Sequence, residues 1–136
     1  MPQIVLSKFF KNGDFRSGYY RDQTILMSQG HLSVREIFSA LYANTDNKLE
    51  PMSGGRQMGG HFVTRSIDEE GNYLNLINQK NHSSDISPVA GQIPRLIGLG
   101  QASKIYRKLK ISNSEKFSKN GNEIAWGTIG NADIRF

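Results

Sequence analysis

The chain has 136 residues, with 17 basic against 12 acidic side chains and a net charge of +5, a size that indicates one domain and excludes a large enzyme. It contains no cysteine, so disulfides, thiolate metal sites and cysteine nucleophiles are excluded. No apolar run approaches the roughly 18 residues of a membrane span. Because the first residues also lack a signal-peptide pattern, the sequence predicts a cytoplasmic protein.

The positive charge is compatible with a nucleic-acid or other anionic partner. The basic residues are scattered, however, and the densest cluster runs from Lys104 to Lys110. That cluster falls where the C-terminus of a helix would favour positive charge. A solvated helix end is therefore preferred over a nucleic-acid surface.

Three helices are predicted near the start of the chain. Pro2 suits the first turn of a short helix that ends before Gly13, and a second helix covers roughly Asp22 to Ser28. The third is predicted from a capping box, which Ser33 and Glu36 can form. Its apolar positions recur at helical spacing on one face, and they are Val34, Ile37, Phe38, Leu41 and Tyr42.

The region from Ala43 to Asp85 has no sustained apolar period and is rich in Asn, Asp, Gly and Ser. It is predicted to be a long loop. Loops of this length inside a compact domain usually bind something or cover a site, and disorder is the alternative.

A long helix is predicted from Pro88 to Lys108, with Ser87 as its N-cap. Small residues along its sides favour a position inside the protein. Pro94 lacks a backbone N–H and is expected to leave the Ala90 carbonyl without its usual partner, which suggests a bend or another use for that oxygen.

The apolar run from Ile124 to Ile129 predicts a buried parallel strand. Ligands bind at the carboxyl ends of such strands. Asn131, between the small residues Gly130 and Ala132, is therefore a candidate oxygen ligand, although Asn is also common in turns.

Two further segments carry residues suited to binding. In the segment from Gly54 to His61, two glycine pairs flank Arg56, and a flexible backbone permits close approach to a ligand. It lacks the Lys-Ser/Thr ending of a P-loop, so an ordinary glycine-rich loop is the alternative. Arg21 follows Tyr20 beside a predicted helix start, where an anion would be favoured; an aromatic-basic surface contact is the alternative.

Four strings resemble a known family when they are taken in order. They run from Tyr19 to Gln23, Gly54 to Phe62, Ser87 to Pro94 and Gly130 to Ala132. Together they resemble the alpha part of the thiamine diphosphate-dependent decarboxylating component of 2-oxo acid dehydrogenase complexes. The branched-chain, 2-oxoisovalerate type is the most similar, in its bacterial form with fused alpha and beta parts. The resemblance extends over nearly the whole chain.

The resemblance implies an α/β fold. Residues 1–136 would form a partial thiamine diphosphate-binding domain, a parallel sheet flanked by helices and truncated at both ends. The implied activity is oxidative decarboxylation of a small 2-oxo acid with acyl transfer to lipoamide, and the implied cofactors are thiamine diphosphate and magnesium. The implied partners are a beta-type dehydrogenase region or subunit and the lipoyl acyltransferase of the complex, with no nucleic acid and no membrane.

The same resemblance assigns roles to single residues. Tyr20 and Arg21 match a pair whose arginine contacts the cofactor diphosphate. His61 matches a histidine near the reacting centre that transfers a proton or stabilises an intermediate. The segment whose backbone meets the aminopyrimidine ring is matched by Ser87, Pro88 and Val89.

The resemblance also assigns metal ligands. Asn131 stands where the family has an acidic magnesium ligand, and a neutral oxygen implies weaker affinity. Gln92 matches a residue of a monovalent-cation site in some members, but Gly91 departs from the Thr that the branched-chain pattern often has. After Ala132 the agreement stops, so the remaining magnesium ligands have no counterpart. A catalytically inert remnant or an association module is therefore the alternative function, and a basic nucleic-acid binder is a weaker one.

Overall fold

The structure is a computed structural model that describes residues 2–57, 61–109 and 111–130. The chain divides into two compact units. The first unit comprises Met1–Phe9 and Tyr20–Phe62, and the second comprises Phe10–Tyr19 and Val63–Phe136. The expectation of a single domain over residues 1–136 stays a prediction. No helix among the described residues is both long enough and apolar enough to cross a membrane.

The first unit contains the helices α1 (Pro2–Phe9), α2 (Gln23–Ser28) and α3 (Val34–Leu41). All three predicted helices are thereby confirmed. α1 packs against α2, and the Gln3 side chain donates a hydrogen bond to Asp22 Oδ1 at 3.2 Å. Ile25 and Leu26 of α2 are fully buried.

The predicted capping box of α3 is present. Ser33 Oγ accepts a hydrogen bond from the Glu36 N–H at 3.2 Å, and Glu36 Oε2 accepts one from the Ser33 N–H at 2.6 Å. A cap of this kind contributes about 1 kcal/mol to helix stability. The apolar face of α3 stays largely in solvent, since Phe38 is 52% exposed.

The second unit contains a three-stranded parallel sheet with the order β2-β1-β3. The strands are β1 (Phe15–Tyr19), β2 (Asn81–Ile86) and β3 (Ala125–Gly127), and helix α4 (Gln92–Lys108) packs on β1 and β3. This arrangement confirms the α/β class, with a parallel sheet flanked by helices. Short 3-10 turns at Leu76–Asn78 and Ser114–Lys116 complete the regular structure of the described residues.

The two faces of the sheet differ in their packing. On one face, Ser17 Oγ donates to the Gln92 carbonyl at 2.9 Å, which holds the start of α4 on β1. On the other face Phe10 lies edge-on to the rings of His82, at 5.0 Å, and Trp126, at 5.1 Å. Helix α4 therefore covers one face, and the ring of Phe10 packs on the other.

A polar cluster joins the three strands at their amino ends. Asp14 accepts hydrogen bonds from the N–H groups of Ile124 (2.8 Å) and Lys11 (2.9 Å). Asn81 Nδ2 donates to the Leu76 carbonyl at 2.8 Å and to the Asp14 carbonyl at 3.3 Å. Both side chains are buried, and hydrogen bonds replace the water that they lose.

The sequence predicts neither β1 nor β2, and all of β2 except Ile86 lies inside the region from Ala43 to Asp85 that is predicted to be loop. The expectation of an unbroken loop there is wrong. β2 reads NHSSDI, which has no apolar alternation, because its buried side chains are polar and find partners on other segments. The one predicted strand, from Ile124 to Ile129, corresponds to the shorter β3 and is parallel as expected, but it is half-buried and lies at an edge of the described sheet.

Helix α4 begins later than predicted. Its first residue is Gln92 and its N-cap is Gly91, so Ser87 is not the cap. Pro94 is the third helical residue, where backbone N–H groups have no intrahelical acceptor in any case. The Ala90 carbonyl accepts a hydrogen bond from the Ile93 N–H at 3.0 Å, so the expectation that it lacks a partner is also wrong.

Candidate functional site

Two of the predicted binding segments follow strands of the second unit. Ser87, Pro88 and Val89 come directly after β2, and residues 128–130, whose last residue begins the predicted string from Gly130 to Ala132, come directly after β3. Both strands run parallel to β1, so both segments lie at the carboxyl edge of the same sheet, where α/β proteins bind ligands. Segment 87–89 is exposed. Asn131, the predicted magnesium ligand, lies outside the described residues.

Gln92 is fully buried and connects α4 to the sheet. Its side-chain Nε2 donates to the Thr128 carbonyl at 2.9 Å, while its own carbonyl accepts the hydrogen bond from Ser17 Oγ. These contacts show a role in docking the start of α4. Its role as a monovalent-cation ligand stays a prediction.

Tyr20 and Arg21 begin the second segment of the first unit, immediately before α2. Arg21 Nε donates to the Tyr20 hydroxyl at 2.7 Å, and Arg21 Cζ lies 5.1 Å from the centre of the Tyr20 ring. The aromatic-basic contact considered above is therefore present. Arg21 is nevertheless exposed, so an anion in solution can reach its guanidinium.

His61 is partly exposed, and its Nδ1 lies 2.9 Å from Gln57 Oε1. An amide oxygen can only accept a hydrogen bond, so Nδ1 carries the proton and Nε2 is the basic nitrogen. An imidazole held in one tautomer by a neighbouring acceptor has a defined proton donor and a defined proton acceptor. The chemistry expected of His61 is compatible with this arrangement.

The first glycine pair, Gly54 and Gly55, lies in a turn that binds the buried carboxylate of Glu50. Glu50 accepts hydrogen bonds from the N–H groups of Met52 (2.9 Å), Ser53 (2.8 Å) and Gly55 (2.9 Å), and from Ser53 Oγ (2.7 Å). Gly54 and Gly55 have φ of +60° and +77°, and a Cβ on Gly55 would lie 2.6 Å from the Ala43 carbonyl oxygen. This pair therefore builds a local turn, as the glycine-rich-loop alternative expects.

The same turn controls the ionisation of Glu50. Burial, the largest effect, raises the pKa of the carboxyl. The hydrogen bonds from Gly55, Ser53 and Met52 together outweigh burial and hold the pKa below its ordinary value, because they favour the charged form.

The sequence interpretation missed a buried charged cluster in the sheet. Arg16 Nη2 lies 2.6 Å from Asp85 Oδ1 in an ion pair, and Arg16 Nε donates to His82 Nδ1 at 2.8 Å. Arg16, His82 and Asp85 are all almost completely buried. The one available signal was position, since Arg16 and Asp85 each precede a predicted binding segment by a few residues.

The described residues do not offer a complete metal site. Within residues 2–57, 61–109 and 111–130, no group of three or more histidine, aspartate or glutamate side chains is placed to hold a metal ion. A cavity of about 190 Å³ lies in the second unit between α4 and the sheet, but no predicted site residue lines it. The candidate residues of the second unit are therefore segments 87–89 and 128–130 at the strand ends, and the candidate residues of the first unit are Arg21 and His61.

The chain is similar to part of a known dehydrogenase. It is 30% identical over 95 residues, which is 70% of this chain, to 2-oxoisovalerate dehydrogenase subunit alpha of Bacillus subtilis (strain 168). It spans 24% of the length of that protein. No protein-family profile matches the chain, and no solved structure matches it. The similarity therefore points to the same kind of protein as the four strings, the alpha part of a 2-oxo acid dehydrogenase. It extends over about a quarter of the dehydrogenase subunit.

Proposed function

We propose that this chain is an alpha-type, thiamine diphosphate-binding part of a 2-oxo acid dehydrogenase of the branched-chain type. The observation that carries the proposal is the 30% identity over 95 residues to a 2-oxoisovalerate dehydrogenase alpha subunit. The parallel sheet supports it, because segments 87–89 and 128–130 follow the carboxyl ends of β2 and β3, where α/β proteins bind ligands. The substrate would be a small branched 2-oxo acid.

The described residues fit the organic cofactor in chemical terms. Diphosphate is an anion, and Arg21 offers an exposed guanidinium whose planar donors suit phosphate oxygens. The exposed backbone of Ser87, Pro88 and Val89 offers donors and acceptors to a heteroaromatic ring. When bound, thiamine diphosphate supplies the carbanion chemistry of decarboxylation, and the protein positions it.

His61 is the residue to which we assign proton transfer. Gln57 holds the proton on Nδ1, so Nε2 is the atom that takes up or delivers a proton. Histidine is the side chain that most often acts as a general acid or base.

Magnesium does not fit the described residues alone, because they hold no acidic cluster. Asn131 would supply one neutral oxygen, whereas magnesium usually takes at least one carboxylate. Magnesium binding would therefore need ligands from elsewhere. A beta-type dehydrogenase region and a lipoyl acyltransferase are the partners that the proposal implies, in the cytoplasm.

The anion site is tested by calorimetric titration of the purified chain with thiamine diphosphate. Arg21→Ala is expected to weaken binding about tenfold or more, because it removes charge-assisted hydrogen bonds to the diphosphate. Arg35→Ala, which removes another exposed arginine of the first unit, is the matched control and should leave the affinity unchanged. Equal affinities of the two variants would contradict the role of Arg21, and absence of binding by the wild type would contradict the proposal.

A catalytically inert chain that serves in association is the second candidate. The lack of an acidic metal-binding cluster in the described residues favours it. Decarboxylation of 2-oxoisovalerate by the purified chain, with thiamine diphosphate and magnesium added, decides between the two. Turnover that His61→Ala abolishes would support the first candidate, and no turnover despite cofactor binding would support the second.

A further inference from the structure

The ion pair of Arg16 and Asp85, together with His82, forms a buried cluster between β1 and β2, called here the Arg16 cluster. Arg16 lies on the central strand β1, and the other two residues lie on β2. The relative exposures of Arg16, His82 and Asp85 are 0%, 1% and 3%. The cluster therefore joins two strands through charges that have no access to water.

The cluster depends on an irregularity in β2. Arg16 lies directly opposite His82, and Ser17 lies opposite Ser83. The register then shifts, because Tyr19 lies opposite Ile86, so two steps on β1 correspond to three on β2. Side chains alternate between the faces of a regular strand, which would place Asp85 away from His82. The extra residue returns Asp85 to the face of His82 and Arg16, as expected of a β-bulge.

Gly18 is the second requirement of the cluster. A Cβ at this position would overlap Asp85 Oδ1 and the Arg16 guanidinium. Gly18 follows Arg16 by two residues on β1 and so shares its face. The missing side chain leaves the space that the ion pair fills.

Stability alone does not account for a buried ion pair in this place. Well-packed apolar residues of similar volume usually stabilise a core as well or better. An ion pair also constrains the position of its partners. The 2.6 Å contact is kept only while the bulge holds Asp85 on the face of Arg16. Asp85 precedes Ser87 by two residues, so the position of the bulge sets where segment 87–89 begins.

We propose that Arg16 and Asp85 are positioning residues that hold the β2 bulge and, through it, the backbone of segment 87–89. For the identity of the ligand the inference rests on the proposed function, in which this segment meets the aminopyrimidine ring. The ordering of the segment does not depend on that assignment. The two parts can therefore be tested separately.

Amide hydrogen exchange, resolved by NMR, tests the ordering. The Gly91 N–H donates to the Pro88 carbonyl at 3.1 Å and reports on the turn after segment 87–89, while the Gly13 N–H donates to the Gln79 carbonyl at 2.8 Å and reports on the amino end of the sheet. Asp85→Asn removes the charge and keeps the shape, and Gly18→Ala keeps the charges and displaces the carboxylate. Both variants are expected to speed Gly91 exchange about tenfold and to leave Gly13 exchange unchanged.

Asn81→Ala is the matched control, because Asn81 is a buried polar residue of β2 at the opposite end of the strand. It should speed Gly13 exchange and not Gly91 exchange. A general loss of stability would instead speed both amides in every variant, and that result would overturn the positioning role. Unchanged Gly91 exchange in Gly18→Ala would overturn it as well, even if Asp85→Asn does not fold.

Affinity for thiamine diphosphate tests the link to the ligand. Asp85→Asn and Gly18→Ala are expected to bind it about tenfold more weakly than Asn81→Ala. If Gly91 exchange responds as expected but the wild type does not bind thiamine diphosphate, the proposed function fails and the positioning role stands. If the wild type binds and the variants bind equally well, the segment is positioned by the cluster but does not meet the cofactor, which overturns that part of the inference.

Discussion

Glu50 illustrates how a single residue can hold a charge inside this chain. Its carboxylate has no exposed surface, yet it accepts hydrogen bonds from three backbone N–H groups and one hydroxyl of the five residues that follow it. Donors of this kind compensate for the lost hydration of a carboxylate. The turn and the charge therefore stabilise each other.

Acid is expected to weaken this turn. The pKa of Glu50 is lower in the folded chain than its ordinary value of 4.5, so the ionised carboxylate contributes stability above that pH and loses it as the pH falls through the folded pKa. Glu50→Gln should lower the free energy of unfolding by about 1–3 kcal/mol at neutral pH, and by less in acid. Urea unfolding at several pH values measures this, with the exposed Glu69→Gln as control. A difference that stays constant with pH would count against the assignment.

Ala90 holds a backbone conformation that favours glycine, with φ at +61°. It directly follows segment 87–89, and strain of this kind often accompanies a binding site. Ala90→Gly is expected to raise the free energy of unfolding by about 1 kcal/mol, because it relieves the left-handed strain. Ala102→Gly, inside α4, should lower it by about 0.5–1 kcal/mol. Thermal unfolding compares the two, and changes of the same sign would contradict the assigned conformation.

Single candidate site residues can be predicted from the sequence only where they lie in a short continuous segment that resembles a family. Tyr20, Arg21 and His61 are predicted because each lies in a string that resembles a family, and their roles stay predictions. Arg16 was missed because its partner His82 is 66 residues away and lies in a strand that had not been predicted. A contact of this kind carries no local signal.

At the scale of elements, the residue at which α4 begins determines how much Pro94 destabilises the helix. Pro94 is the third residue of the helix, where the missing N–H costs little. Pro94→Ala is therefore expected to change the free energy of unfolding by less than about 1 kcal/mol. Gln101→Pro, in the middle of the same helix, should lower it by about 3 kcal/mol or more. A rise of about 3 kcal/mol in Pro94→Ala, measured by chemical denaturation, would show that α4 begins well before Gln92.

Elements with local signals were predicted well, and elements without them were not. The capping box and apolar spacing of α3 lie within one short stretch, so the sequence predicts its start to the residue. β2 instead buries Asn81, His82 and Asp85, which an apolar alternation cannot reveal. Only the tertiary partners of these side chains make them suitable for a strand interior.

At the scale of the whole molecule, the positive charge and the dehydrogenase similarity lead to different functions. Arg107 and Lys108 lie in the last turn of α4, and Arg107 donates to the Gly121 carbonyl. Positive side chains are favoured at a helix C-terminus. The position of these two residues therefore explains their charge without a nucleic-acid partner. The similarity to a dehydrogenase alpha subunit, over 70% of this chain, is the more specific observation.

The most direct test of the central claim is calorimetric titration of the wild-type chain with thiamine diphosphate and, separately, with thiamine. Arg21 is proposed to contact the diphosphate, which thiamine lacks. Segment 87–89 is proposed to contact the aminopyrimidine ring, which both ligands have. The account predicts saturable binding of thiamine diphosphate, about tenfold or more tighter than that of thiamine. No binding of thiamine diphosphate, or equal binding of the two ligands, would contradict it.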